Sequence, residues 1–216
     1  MHDVLLTDAE LARIGEDVPL LEGIRTTRAI RRFRSEPVAA ALIRKVCEAG
    51  TFAPSGGNRQ PWMFIAVTDP ERRAWVANRY RSAFAAYIAP ALRAAEGADF
   101  PASKRRNIRA AVEMAEHLHE VPVHLFVAAW KRRGDEQPQS VYPAIQNILL
   151  ACRAVGLGAC LTTVHLAYRE EIDACLALPE GVVSVALLPI GWPRDKYVRP
   201  PRRSVDECLF FERYTG

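Results

Sequence analysis

Apolar positions along the chain change their period several times, and each change marks a predicted element. Thr7-Asp8-Ala9-Glu10 has the spacing of a capping box, and Leu11 and Ile14 follow on one face, which predicts a short helix. A second helix is predicted over Leu20–Arg25. From Val38 to Ala49 the pairs Leu42, Ile43 and Val46, Cys47 recur four apart, predicting an amphipathic helix that Pro37 can start. Trp62–Val67, Val121–Trp130 and Val182–Ile190 are short and almost wholly apolar, as strands covered on both faces are. Trp62–Val67 is therefore expected in a central position.

Asp69-Pro70 opens a helical region over 71–95 and 104–120, interrupted at Gly97-Ala98-Asp99-Phe100-Pro101. Lys131–Pro138 reads as a polar loop. Over Val141–Val155, Ile145, Ile148, Leu149 and Cys152 share a helix face that Gly156-Leu157-Gly158 ends. Ala159–Val164 is a loop or short strand, and Tyr168–Leu176 a helix. After Gly191-Trp192-Pro193 comes an arm, residues 194–216, with Pro200, Pro201, Arg194, Lys196, Arg199, Arg202 and Arg203. Such a segment cannot easily bury itself and can lie across a partner subunit.

The chain has 216 residues, 50% hydrophobic and 25% charged, which predicts one globular domain over residues 1–216 and excludes disordered or collagen-like classes. The longest apolar runs are too short to cross a bilayer as helices, so no membrane span is expected. Met1-His2-Asp3-Val4 lacks a basic lead, and a cytoplasmic protein is expected. Five widely spaced cysteines without a Cys-x-x-Cys pair predict reduced, packed thiols and no zinc site. A net charge of +4 gives nucleic-acid binding little support, and neither Lys104-Arg105-Arg106 nor Lys131-Arg132-Arg133 is interleaved with aromatics.

Candidate chemistry lies elsewhere. Arg25–Arg34 holds five arginines in ten residues. As structure it is a solvated basic face; as function it is a clamp for a dianion, with Ile30 and Phe33 as anchors that aim some guanidinium forks inward. Pro54-Ser55-Gly56-Gly57-Asn58-Arg59-Gln60-Pro61 is turn chemistry whose amide side chains could answer a heterocycle bearing both carbonyl and N–H groups. Gly156-Leu157-Gly158 follows a helix rather than a strand, so it is not a dinucleotide fingerprint. No phosphate loop or Gly-x-Ser-x-Gly elbow occurs. His117 and His119, two apart on a predicted helix, should face different ways, while His2, His124 and His165 are isolated, so no metal site is expected. Cys160 lacks an activating partner. Any reaction therefore belongs to a bound cofactor.

Arg28-Ala29-Ile30-Arg31-Arg32-Phe33, Ala53-Pro54-Ser55-Gly56-Gly57-Asn58-Arg59-Gln60-Pro61-Trp62, Gly156-Leu157-Gly158-Ala159-Cys160, Pro179-Glu180-Gly181 and Pro189-Ile190-Gly191-Trp192-Pro193 together resemble the FMN-dependent nitroreductase family. The resemblance spans about residues 25–208, and the Pro-Ser-Gly-Gly-Asn-x-Gln-Pro-Trp block is its most specific part. It implies an α+β fold, a mainly antiparallel central sheet flanked by helices, in an intertwined homodimer with FMN at two interface sites. The arm 194–216 would cross to the partner subunit.

By that resemblance Arg28 would sit near the ribityl phosphate and Arg31 near the N1/O2 edge of the ring. Ser55 and Asn58, flanked by Pro54, Gly56 and Gln60, would approach the pyrimidine edge from the partner chain. Leu161, Thr162 and Thr163 would bring their backbone to the N5/O4 side, and Arg202 or Arg203 would complete the phosphate site. Ala29 stands where the family often has serine, leaving a backbone N–H for the phosphate. The Glu-Gly pair found near N5 in one branch is absent. The implied activity is ping-pong transfer of hydride from NADPH or NADH, through FMN, to an electron-poor nitroaromatic- or quinone-like small molecule. Alternatives are an FMN-storage protein with residues 75–120 as a lid, or a reductive dehalogenase or flavin-fragmenting enzyme.

Overall fold

The computed structural model describes residues 6–131 and 139–214. The amino-terminal Met1-His2-Asp3-Val4 and all of the Lys131–Pro138 loop except Lys131, including Arg132 and Arg133, lie outside the described residues.

Four antiparallel strands form the sheet: β1 (Trp62–Val67), β2 (Val123–Trp130), β3 (Gly158–Ala159) and β4 (Val182–Gly191), in the order β1-β2-β4-β3. Among the described residues seven helices surround it: α1 (Asp8–Arg13), α2 (Leu20–Thr26), α3 (Ala40–Thr51), α4 (Pro70–Ala95), α5 (Ala102–Glu116), α6 (Tyr142–Ala154) and α7 (Arg169–Cys175). The expected α+β architecture is present.

The alternation of β2 builds two cores. Val123, Leu125, Val127 and Ala129 point to one face, where they meet Leu42, Ile43 and Val46 of α3 and Ile145, Ile148 and Cys152 of α6. Phe126 points to the other, against Val76, Tyr80 and Phe84 of α4, Met114 of α5 and Ile172 of α7. Both faces of the sheet are thus covered.

Local chemistry sets the ends. Thr7 caps α1 with both halves of its capping box formed, and Asp69 accepts from the Arg72 N–H at 2.9 Å to start α4 beside Pro70. α3 begins at Ala40, not Val38, so Pro37 lies ahead of the helix rather than in its first turn. α5 stops at Glu116, and a separate 3-10 turn over Leu118–Glu120 delays β2 to Val123.

One expectation is overturned. Among the described residues β1 is an edge strand paired only with β2, and most of its side chains are half-buried. Its apolar run reflects cover on both faces, since Trp62 and Phe64 pack into one core while Ile65 and Val67 join the other. Facial cover says nothing about strands at both edges.

Candidate active site

Between α2 and α3 the arginine-rich segment runs extended. The Ile30 N–H donates to Ala159 O at 3.0 Å and the Arg34 N–H to Trp192 O at 2.8 Å, tying the segment to β3 and to the end of β4. Ile30 and Phe33 are buried as the predicted anchors. The arginines between them divide. Arg31 faces a cavity of about 520 Å³, whereas Arg32 pairs with Glu113 at 2.8 Å. Arg28 turns toward the arm, its Nη2 donating to Lys196 O at 3.3 Å and standing 3.8 Å from an Asp195 carboxylate oxygen. Its Nε is buried with no partner among the described residues.

The cavity lies between α4, α5 and the segment after β3. Arg31, Leu161, Thr162 and Thr163 meet in its wall, together with Tyr80 and Phe84. Thr162 is pinned by two backbone bonds to Leu187 of β4, each 2.9 Å, so its own N–H and C=O are occupied and its side chain is what it presents. Its hydroxyl meets that of Tyr80 at 2.9 Å. Burial pushes the Tyr80 phenol up to about 12 and the Cys160 thiol up to about 11, which leaves Cys160 protonated and a poor nucleophile.

Arg31 has no hydrogen-bond or ion-pair partner among the described residues, although it also lines a second cavity of about 150 Å³. There the structure departs from expectation. His117 closes α5 and His119 belongs to the following 3-10 turn, so their rings come to 6.4 Å, and both approach one Glu120 oxygen, at 3.0 and 3.8 Å. The helix break brings together what a continuous helix would separate. Among the described residues no group of three or more His, Cys, Asp or Glu is placed to hold a metal ion.

The remaining candidates stand apart from the cavity. Pro54, Ser55, Gly56, Asn58 and Gln60 form a largely exposed loop, with the Gln60 N–H donating to Ser55 Oγ at 2.9 Å. Gly57, Asn58 and Gln60 adopt φ values of 63°, 51° and 50°, which explains the glycine and asparagine there. Ala29 adjoins Arg28 but does not line the cavity. Arg202 and Arg203 lie on the exposed arm, and the hydrogen bond of Arg202 is to its neighbour Pro201 O, at 3.2 Å.

Sequence reasoning missed Tyr80, Phe84, Tyr87 and Ile88 of α4 and Asn107 and Ile108 of α5, all in the cavity wall. A signal was present. Tyr80, Phe84, Tyr87 and Ile88 recur at i, i+4, i+7 and i+8, a stripe along one helix face.

The sequence model described as "Nitroreductase family" matches residues 24–192. The chain belongs to the nitroreductase family. A relative within it, 5,6-dimethylbenzimidazole synthase of Rhodospirillum rubrum, is 32% identical over 80% of this chain and 81% of that protein. Nitrobenzene nitroreductase of Ectopseudomonas oleovorans is 26% identical over 78% of this chain and 84% of its own. Among solved structures, oxidised iodotyrosine deiodinase bound to FMN and 3-iodo-L-tyrosine superposes with a TM-score of 0.73 at 22% identity, covering 91% of this chain and all (100%) of that one. The nitroreductase fold thus extends over nearly all of the present chain. Among its described residues no helix is long and apolar enough to cross a membrane.

Proposed function

We propose that the chain is an FMN-dependent oxidoreductase that takes hydride from NADH or NADPH and passes the electrons to an electron-poor small molecule of nitroaromatic or quinone type. The carrying observation is Arg31, an uncompensated guanidinium in the wall of a cavity of about 520 Å³ that is otherwise largely apolar and aromatic. A planar ring that gains negative charge on reduction fits such a slot. Bound there, FMN supplies a position that accepts and returns hydride.

The chain's own groups hold and tune. Arg31 stabilises negative charge in surroundings where water is partly excluded, so its field is stronger than in bulk. The orphaned Nε of Arg28 suits a phosphate oxygen, which would also replace the weak approach to Asp195 at 3.8 Å. The Ala29 N–H can add to it. Leu161 and Thr163 flank the pinned Thr162, so the wall on that side is rigid. Pro54, Ser55, Gly56, Asn58 and Gln60, together with Arg202 and Arg203, are exposed in one chain and are assigned to the partner's site in a homodimer.

The deciding measurement is one spectrum of purified protein, before and after anaerobic NADPH or NADH. Flavin absorbance that bleaches with either donor supports the reading, and a colourless protein that takes up no added FMN overturns it. Arg28→Ala is expected to weaken FMN about 10- to 150-fold, the worth of one charged hydrogen bond. Titration of apoprotein checks this. Arg31→Ala is expected to lower the flavin potential by about 30–60 mV, the same energy spread over a two-electron couple. An unchanged potentiometric midpoint removes that role.

A second reading is benzimidazole formation by flavin fragmentation, favoured by the 32% identity to a dimethylbenzimidazole synthase. The dimethylated benzene ring of flavin is the portion such a product would retain. Reduced protein exposed to oxygen, followed by mass analysis of small products, separates the readings.

A further inference from the structure

The cavity wall carries one polar contact that the proposed oxidoreductase reading leaves unused. Tyr80 of α4 and Thr162 bring their hydroxyl oxygens to 2.9 Å. Both line the cavity, and they are only 1% and 9% exposed.

The two hydroxyls hold two protons, and their mutual hydrogen bond uses one of them. Thr162 Oγ1 also accepts from the Val164 N–H at 3.4 Å, which consumes a lone pair and no hydroxyl proton. Neither hydroxyl donates to another group among the described residues. One O–H is therefore left over whichever oxygen is the donor within the pair. Burial holds the phenol at about 12, so at neutral pH it remains a neutral donor. The backbone bonds from Thr162 to Leu187 fix one member, and the packing of Tyr80 against Phe84, with ring centroids 5.9 Å apart, fixes the other. A preoriented donor in a largely apolar wall is the arrangement that stabilises developing negative charge on oxygen.

We infer that Tyr80 and Thr162 act as one hydrogen-bond donor to an oxygen of the electron acceptor, selecting acceptors whose oxygen gathers negative charge on reduction. This rests on the oxidoreductase reading. Hydride addition gives a quinone two electrons and one proton, leaving a hydroquinone monoanion. The pair hydrogen-bonds that oxygen without surrendering its proton, and the second proton comes from water.

The test uses FMN-loaded wild type, Tyr80→Phe, Thr162→Val, the double variant and Thr162→Ser. The first probe is 4-nitrophenol, bound to oxidised protein without reductant and followed by its phenolate absorbance. Removal of both hydroxyls is expected to weaken phenolate binding about 10- to 100-fold and raise the pKa of the bound probe by about 1–2 units, while either single variant keeps one O–H and should lose less. The second measurement compares reoxidation of the NADH- or NADPH-reduced protein by benzoquinone and by ferricyanide, which takes electrons without charging an oxygen. The quinone-to-ferricyanide rate ratio should fall about 10-fold or more in the double variant.

Because either hydroxyl alone still has a proton to donate, each single variant should lose less than the double, and Thr162→Ser should keep the wild-type ratio. Unchanged phenolate binding and an unchanged ratio in the double variant overturn the inference. Wild type that neither donor reduces would defeat the oxidoreductase reading instead. The 4-nitrophenol titration would still judge the hydroxyl pair.

Discussion

Lowering the pH from 6.5 to 4.5 is expected to remove about 4 kcal/mol of folding stability, because two histidines are buried in their neutral form. His124, in the interior strand β2, is wholly buried, with its Nε2 2.8 Å from Leu118 O and its Nδ1 without a partner among the described residues. Burial pushes its pKa down to about 4, against a smaller opposing effect of that hydrogen bond. His165 packs edge-on to Phe126 with ring centroids 5.5 Å apart, and neither of its nitrogens has a partner among the described residues. Burial, with Arg169 adding to it, lowers its pKa to about 3.

Unfolded histidines take up protons near pH 6.5, while these two stay neutral in the folded chain until well below that. Within the window the unfolded state binds more protons, so stability is complete above pH 6.5 and falls as pH drops. The slope approaches about 1.4 kcal/mol per pH unit for each histidine. Glu10 and Glu120, whose pKa values are lowered by hydrogen bonds from Thr7 and His117, lose their contribution mainly below this window. Urea midpoints at pH 7, 6, 5 and 4.5 measure the slope, and His165→Phe should roughly halve it. A midpoint unchanged from pH 7 to 5 would contradict the neutral burial of both rings.

Those two histidines show what a sequence makes visible. His124 and His165 read as isolated, which is correct, yet isolation carried no hint of burial. For His124 that burial follows from the pairing of β2 with both β1 and β4, and for His165 from packing on Phe126, both tertiary facts. The strands were legible because a run such as Trp62–Val67 has only one way to cover both faces, and the position of β1 at the edge was not, since an apolar run does not report its neighbours. Gly158 illustrates the same limit. Read as part of a helix stop, it is also where a Cβ would come within 2.7 Å of Ile30 Cγ2, so its smallness lets β3 close on the arginine segment. At the site, Arg31 and Leu161–Thr163 line one cavity, because backbone bonds tie the neighbouring Ile30 to Ala159 and Thr162 to Leu187. The cavity's far wall was not legible. Its residues sit in α4 and α5, whose alanine- and arginine-rich composition says helix without saying which face meets what.

Removing residues 200–216 is expected to convert the proposed homodimer into a monomer and to weaken FMN by at least 100-fold. Up to Arg199 the arm is tied to its own chain: the Arg194 N–H donates to Arg32 O at 3.0 Å, Arg153 stacks on the Tyr197 ring at 4.4 Å, and Arg199 pairs with Glu22 at 2.6 Å. Beyond it the hydrogen bonds of the arm stay within the arm, among Ser204, Val205, Asp206, Glu207 and Cys208. Yet this stretch carries Val205, Leu209, Phe210, Phe211 and Tyr214, all exposed, with Phe211 at 74%. The body offers matching surface in Leu20, Leu21 and Ile24 of α2 and in Phe52. Large exposed apolar surface in two places on one chain points to a self-complementary contact. Burying one phenylalanine there is worth about 3 kcal/mol, so Phe211→Asp alone should weaken the dimer by more than about 100-fold. Loss of Arg202 and Arg203 removes the phosphate cation assigned to the partner's site, so truncation should cost cofactor even when the remaining chain stays folded. Sedimentation at several concentrations, with FMN titration of the same samples, separates the two effects. Truncated protein that remains dimeric, or a full chain that sediments as a monomer, would leave the exposed loop Pro54–Gln60 without a site to complete.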